Sequence, residues 1–418
     1  MTERSACAVY ARAVPLAAEL ELPSFDHTDV SLRGERYRTA MAELRGHDGW
    51  LAASPFGFIV LDREAGEFFL RTKAAVFPGL TIAELFGITD GPLREEIVKN
   101  IININGDDHR RLRNLVNPAL SPRAVDRYRP AMRRFLEQLL AAIGPDGRCE
   151  FIADFAKPYP SLVIAEVMGA PLEDAPRLHH WSNVIQRQFD PTSLMAEREL
   201  IEHAVAEFYA YEDELIAARR RAPGEDLISA LIEAEEAGDR LSDDELRNLV
   251  LNILVGGVDT SQSQLAHAVR LLAERPDQWE LLRADPRGLA GAAVEEALRF
   301  EPITPFTARI LIEEVEYREV RFPVGSIVLV SAWHAHRGAD AAPAEFDLTA
   351  GRPRERLLTF GAGIHYCVGA NLARAEIHEG LAFLAERVSS IALDGEPEFG
   401  TPSGIYGLQA LPLKLDLA

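Results

Sequence analysis

The sequence predicts a mostly α, α+β fold: one helix-rich domain with small β-sheets, crossed by a long central helix. Three observations lead there. Ala, Leu, Glu and Arg recur at three- and four-residue spacing from about Pro122 to Arg299, which is the period of a helix with one buried face. Strand-like runs are short and few. One stretch beginning at Ser242 keeps its pattern until Pro276, with an almost wholly apolar middle.

Taken in order, Phe58–Asp62 and Glu67–Thr72 suggest a hairpin near the N-terminus. The polar stretch Arg219–Asp226 reads as a loop between helices, as does the Ala-, Pro- and Arg-rich Asp340–Arg356. At the central helix, Ser242 and Glu245 form a capping-box pattern, and Pro276 closes the element after Arg275. That gives about 33 residues, or ~50 Å of rise, enough to cross a whole domain. Leu249–Val258 is nearly all apolar, which fits burial. Val315–Tyr317 and Ile327–Ser331 suggest a small sheet, and Gly407–Leu417 a further edge strand.

Composition narrows the function. Acidic residues outnumber basic ones by 65 to 44, a net charge of −21, so long-range attraction to nucleic acid or an anionic membrane is not expected. No window approaches ~18 consecutive apolar residues, and Met1–Ser24 lacks the apolar core of a signal peptide. A soluble cytoplasmic protein is expected. Cys7, Cys149 and Cys367 are scattered, with no CxxC pair, which supports neither a zinc site, an iron–sulfur cluster nor a disulfide framework.

The strongest motif is Phe360-Gly361-Ala362-Gly363-Ile364-His365-Tyr366-Cys367-Val368-Gly369. Gly361 and Gly363 permit backbone conformations closed to other residues and let the loop lie against a flat ligand. Cys367 falls at the start of a helical run, Val368–Arg387, whose free amides favour a thiolate. This segment resembles the heme-binding loop of the cytochrome P450 monooxygenases, matching Phe-Gly-x-Gly-x-His-x-Cys-x-Gly at every fixed position. The resemblance extends from about His109 to Gly369 and implies the P450 fold, heme b as cofactor, and Cys367 as ligand to its iron.

Further segments match in the same order. Gly256-Gly257-Val258-Asp259-Thr260-Ser261 lies mid-helix. Two helical glycines cost roughly 1 kcal/mol each relative to Ala, which is tolerated where something must approach the backbone. Thr260 can bond back to a carbonyl one turn earlier and loosen the helix. A notch with a carboxylate and a hydroxyl beside it suits proton delivery in an apolar pocket, and the resemblance makes Asp259 and Thr260 the catalytic pair. Glu296 and Arg299, spaced i, i+3, match the family's Glu-x-x-Arg, with Arg352 as the third member of a structural network. His109 and Arg113, spaced i, i+4, together with Arg309 and His365, stand where the family binds the heme propionates. Val255, Phe306 and Ile405, with parts of Pro78–Lys99 and Asn183–Met195, are placed at the substrate pocket.

The function expected is insertion of one oxygen atom from O2 into a small, largely hydrophobic molecule. With no flavin or iron–sulfur module recognisable in 1–418, electrons are expected from a separate ferredoxin and its NAD(P)H-dependent reductase. Arg110, Arg111, Arg123, Arg127 and Arg374 form either a basic patch for that ferredoxin or a solvated charged face. The alternatives are a peroxide-driven peroxygenase and a non-catalytic heme-thiolate ligand-binding protein; retention of Asp259 and Thr260 disfavours both.

Overall fold

A computed structural model describes residues 14–46, 49–236, 241–337, 345–350 and 356–417. Helices dominate and two structures within them position the site. The first is the central element. Ser242 Oγ accepts from the Glu245 amide while the Glu245 carboxylate accepts from the Ser242 amide, so the expected capping box starts the helix. It does not run unbroken to Arg275. One helix spans Asp243–Gly257 and a second Asp259–Ala273, divided at Val258 (φ −99°, ψ −70°). Thr260 Oγ1 donates to the Gly256 carbonyl at 2.6 Å, which satisfies an acceptor that the interrupted ladder would otherwise leave open.

The second is the Ala370–Arg387 helix, buried along most of its length and packed on Pro286–Phe300 and Asp259–Ala273. These three helices, with Arg129–Ala142 and Pro158–Met168, enclose the main apolar core.

A five-stranded sheet lies to one side, in the order Leu51–Ser54, Gly57–Val60, Ile327–Ser331, Phe306–Leu311, Ala75–Val76. Gly57–Val60 runs parallel to Ile327–Ser331, with Phe58 opposite Val328, and Phe306–Leu311 runs antiparallel to it, with Arg309 opposite Val328. A second core behind this sheet gathers Trp50, Phe69, Tyr317 and Phe322.

Several strand expectations are corrected. Glu67–Thr72 is not a hairpin arm: Arg63–Arg71 is a helix, capped by Asp62, whose side chain accepts from the Ala65 amide. Ala65, Phe69 and Leu70 are buried at helical spacing, and that packing outweighs the strand propensity of the aromatic pair. The true partner of Gly57–Val60 is Leu51–Ser54. Val315–Tyr317 pairs with Val320–Phe322 and not with Ile327–Ser331. Pro412–Leu417 is the middle strand of three, between Arg148–Glu150 and Val388–Leu393, rather than an edge. The Arg219–Asp226 stretch is helical up to Arg221. Cys7, Arg352 and most of Asp340–Arg356 lie outside the described residues.

Candidate active site

Between the central helix and the cysteine loop lies a cavity of about 500 Å³. The loop forms one wall. Gly361 (φ 68°) and Gly363 (φ 73°) take left-handed conformations, and a Cβ on Gly363 would lie 2.5 Å from the Leu70 carbonyl oxygen. Both glycines are therefore required by backbone geometry. The Cys367 amide donates to the Phe360 carbonyl at 3.0 Å, closing the loop. The regular helix begins at Ala370, slightly later than expected, with Gly369 as its cap. The amides of Gly369 and Ala370 still point at the sulfur. Cys367 is enclosed by protein yet presents its own surface to the cavity. Burial raises its thiol above the ordinary range, opposed by those two amides and by Arg113 and Arg374. A metal cation at the sulfur would favour the thiolate against that burial.

The four expected propionate partners converge on the same cavity. Arg113 Nη2 donates to the Tyr366 carbonyl at 2.8 Å, tying the Gly106–Val116 helix to the loop. Rings of His109 and His365 meet edge-on, 4.5 Å between centroids. Burial, then Arg309, His109 and Arg113, depress His365 to about 3. Arg309 is 3% exposed, and its one side-chain hydrogen bond among the described residues is Nη1 to the Ala308 carbonyl, 2.8 Å. Burial lowers its pKa to about 10. His109 Nδ1 is buried without a partner. No Asp or Glu lines this cavity among the described residues.

That donor set fits heme b. A buried cation without an anion is costly, and two carboxylates would neutralise Arg309 and Arg113 together. Among the described residues no group of three His, Cys, Asp or Glu could hold a bare metal ion.

Opposite the sulfur, Gly256 and Thr260 line the cavity. A Cβ on Gly256 would meet nothing within 4 Å, whereas one on Gly257 would lie 2.8 Å from Ile164 Cδ1. The two glycines thus do different work: Gly256 opens the helix to the cavity and Gly257 permits close helix packing. Asp259 does not stand beside Thr260 in the cavity wall. It is 5% exposed and turned behind the helix, accepting from Ser182 Oγ (2.8 Å) and Asn183 Nδ2 (3.1 Å). Burial raises its carboxyl above the ordinary range despite those two bonds. Arg187 orders this cluster by donating to Asn183 Oδ1 at 2.9 Å. Ser182 and Asn183 lie far from Asp259 in sequence; Asn183, expected at the substrate pocket, instead bonds Asp259 and does not line the cavity, whereas Gln186, Phe189 and Pro191 of the same region do.

Glu296 and Arg299 form a buried two-bond ion pair, 2.8 Å each. The pair holds the following segment: Arg299 donates to the Glu345 carbonyl, and the Asp347 amide donates to Glu296. No sequence pattern pointed to His336. Its Nε2 accepts from the Leu358 amide (2.9 Å), so the proton sits on Nδ1, 3.3 Å from the Arg299 carbonyl. This links the Glu-x-x-Arg helix to the base of the cysteine loop. Burial depresses His336 to about 3, keeping it in that neutral form.

Val255, Phe306 and Ile405 all line the cavity, joined by Thr81, Ile82 and Phe189. The arginine group is largely paired internally. Arg110 bonds Asp107, Arg111 bonds Glu245, Arg374 takes both Glu295 oxygens, and Arg127 bonds Tyr128.

Comparison with known proteins agrees with this architecture. The family profile "Cytochrome P450" matches residues 92–390. Luteothin monooxygenase of Streptomyces thioluteus is 34% identical, covering 95% of this chain and 97% of the relative. CalO2 superposes with a TM-score of 0.86 at 28% identity, over 94% and 99% of the two chains. P450BioI in complex with hexadec-9Z-enoic acid ligated acyl carrier protein gives 0.83 at 29% identity, over 90% and 98%. The chain belongs to the cytochrome P450 family, in its bacterial form. It is a heme b monooxygenase with the P450 fold. No described helix is long and apolar enough to cross a membrane.

Proposed function

We propose that Cys367 is the iron ligand and that His109, Arg113, Arg309 and His365 hold the heme propionates. The observation that carries this is that Arg113 and the buried Arg309 line the same cavity as the Cys367 sulfur with no acidic side chain there among the described residues. The bound heme supplies dioxygen activation. The chain's residues supply the rest. The Glu296–Arg299 pair and His336 fix the loop that carries the sulfur; Arg352 joins that network by resemblance. Thr260 has its hydroxyl proton on the Gly256 carbonyl, so its lone pairs face the cavity and accept from a water held there. Asp259, once its carboxyl turns from Ser182 and Asn183, passes its proton to that water, which Thr260 orients, and its raised pKa suits a group that must take up a proton. Val255, Phe306 and Ile405 exclude water around a largely hydrophobic substrate; the fatty acyl chain in the P450BioI complex is consistent with such a wall.

The reading takes 1–418 as one domain in the cytoplasm, with electrons from a separate ferredoxin and its NAD(P)H-dependent reductase. Reduced protein plus carbon monoxide tests it. A Soret band at the thiolate-ligated position is expected, lost or moved in Cys367→Ser. Its absence in the unaltered protein overturns the reading. Turnover with NAD(P)H and ferredoxin is expected to fall about 10²- to 10⁴-fold in Asp259→Asn, with the carbon monoxide spectrum unchanged.

A further inference from the structure

We infer that Asn252 is a specificity residue, presenting a fixed hydrogen-bond acceptor that selects substrates with a neutral hydroxyl remote from the carbon oxidised. The inference rests on the cavity being the monooxygenase substrate chamber.

Asn252 lies on the cavity wall between Leu249, Ile253 and Val255, which line it too. Its amide nitrogen is fully engaged one turn back: Nδ2 donates to the Asn248 backbone carbonyl (2.5 Å) and to Asn248 Oδ1 (2.7 Å). A backbone carbonyl can only accept, so turning the Asn252 amide over would set oxygen against oxygen. Asn248 is oriented in turn. It is 2% exposed, and its Nδ2 donates to Tyr209 Oη (3.2 Å) and to the Glu96 carbonyl (3.4 Å), which points its Oδ1 at Asn252. Three helices, Gly91–Lys99, Pro191–Arg221 and Asp243–Gly257, thus settle which atom of Asn252 is left over. That atom is Oδ1, which has no protein partner among the described residues and is not sealed from the cavity.

Two of the other three amides on this wall, Asn100 and Gln264, are already used; the third, Gln186, is held by no such network among the described residues. Asn100 donates to Glu96 Oε1 (2.5 Å) and accepts from the Ile102 amide (3.0 Å). Gln264 donates to the Glu301 carbonyl, and its oxygen is buried. An acceptor that protein does not satisfy rewards a ligand that brings a donor.

Charge selects the kind of donor. No acidic side chain lines the cavity among the described residues, and Arg113 and Arg309 do. An ammonium would be buried without a counter-charge. A carboxylate would set acceptor against acceptor at Oδ1. A hydroxyl meets neither objection. Asn252 and Gly256 are spaced i, i+4 within one helix and both line the cavity, so the hydroxyl sits about one turn, ~6 Å of rise, before the glycine notch that precedes Thr260.

The test uses the heme-loaded protein and a matched pair of probes, 1-dodecanol and its methyl ether, with dodecanoic acid as a third. Binding is read from the low-to-high-spin Soret shift. The alcohol is expected to bind about tenfold more tightly than the ether, and the acid no better than the ether. Asn252→Leu is expected to remove the alcohol's advantage while ether affinity changes less than about threefold. Equal alcohol and ether affinities in the unaltered protein overturn the inference, as does an alcohol preference that survives Asn252→Leu. An alcohol that instead seats its oxygen on the iron, seen as a shift toward low spin, overturns it too. If Asn252→Leu fails to load heme, the alcohol–ether comparison in the unaltered protein decides alone. Should the carbon monoxide spectrum lack the thiolate Soret band, the reading of the cavity fails; should it be present with no alcohol preference, only Asn252's role does.

Discussion

Arg309 carries its charge into the cavity wall with only the Ala308 carbonyl to receive a hydrogen bond. If a propionate is its missing anion, Arg309→Leu removes a charge-assisted bond of about 1.5–3 kcal/mol. Heme loss to an acceptor protein should then speed up roughly 10- to 100-fold, with Arg309→Lys in between; unchanged loss in both would remove Arg309 from the propionate set. Glu96 offers a second measurement at this scale. Burial raises its carboxyl from 4.5 to about 7, against the opposing bond from Asn100. The unfolded chain ionises this group near its ordinary value, whereas the folded chain keeps it protonated until about 7. Its contribution to stability is complete below the unfolded pKa and is lost as pH rises through the folded one. The loss above neutrality is on the order of 3 kcal/mol. Glu96→Gln cannot ionise. It should melt higher than the unaltered protein at about pH 8, and the gap should close toward about pH 5. A gap that does not change with pH would contradict this.

The broken central helix makes a prediction about an element. Its two glycines are chemically identical and adjacent, but their surroundings differ. At Gly257 an added methyl meets Ile164, while at Gly256 it meets open cavity. Gly257→Ala is expected to lose stability by about 1–3 kcal/mol through overpacking. Gly256→Ala should hold or gain up to about 1 kcal/mol from helix propensity, yet narrow the space beside Thr260 and weaken substrate binding. Thermal melts of the two variants, with substrate titrations read by the Soret shift, check both halves. Reversal of the stability order would mean that the helix packs differently at Val258.

At the scale of the whole molecule, the net charge of −21 meets a face whose arginines are mostly committed. Asp107, Glu245 and Glu295 take the guanidinium groups of Arg110, Arg111 and Arg374. Little local positive field is left to steer an acidic ferredoxin, so the overall repulsion should dominate its approach. The rate of reduction by such a ferredoxin is therefore expected to rise with added salt, as screening shortens the range of like-charge repulsion. A rate that falls with salt would show that the arginine face prevails. Glu295→Gln, which frees Arg374, should shift the salt dependence toward that second behaviour.

What short-range chemistry dictates is legible without the structure. A cysteine after two left-handed glycines at a helix start, a capping box at Ser242, and a helix face shared by Glu296 and Arg299 are all local patterns, legible because backbone sterics and helical period act over a few residues. The resemblance built on them carried the fold and the cofactor. Tertiary structure decided what depends on partners far along the chain. Asp259 and Thr260 are neighbours in sequence, but Ser182 and Asn183 draw the carboxylate behind the helix while the hydroxyl stays in the cavity. Phe69 and Leu70 are helical because a core behind the sheet receives them, not because their propensity says so. Asn252 reads as an ordinary polar residue in an apolar helix until Asn248, Tyr209 and Glu96 fix its amide. For Asp259, for Phe69 and for the Asn248 that orients Asn252, the deciding interaction spans dozens of residues or more, and no local pattern encodes it.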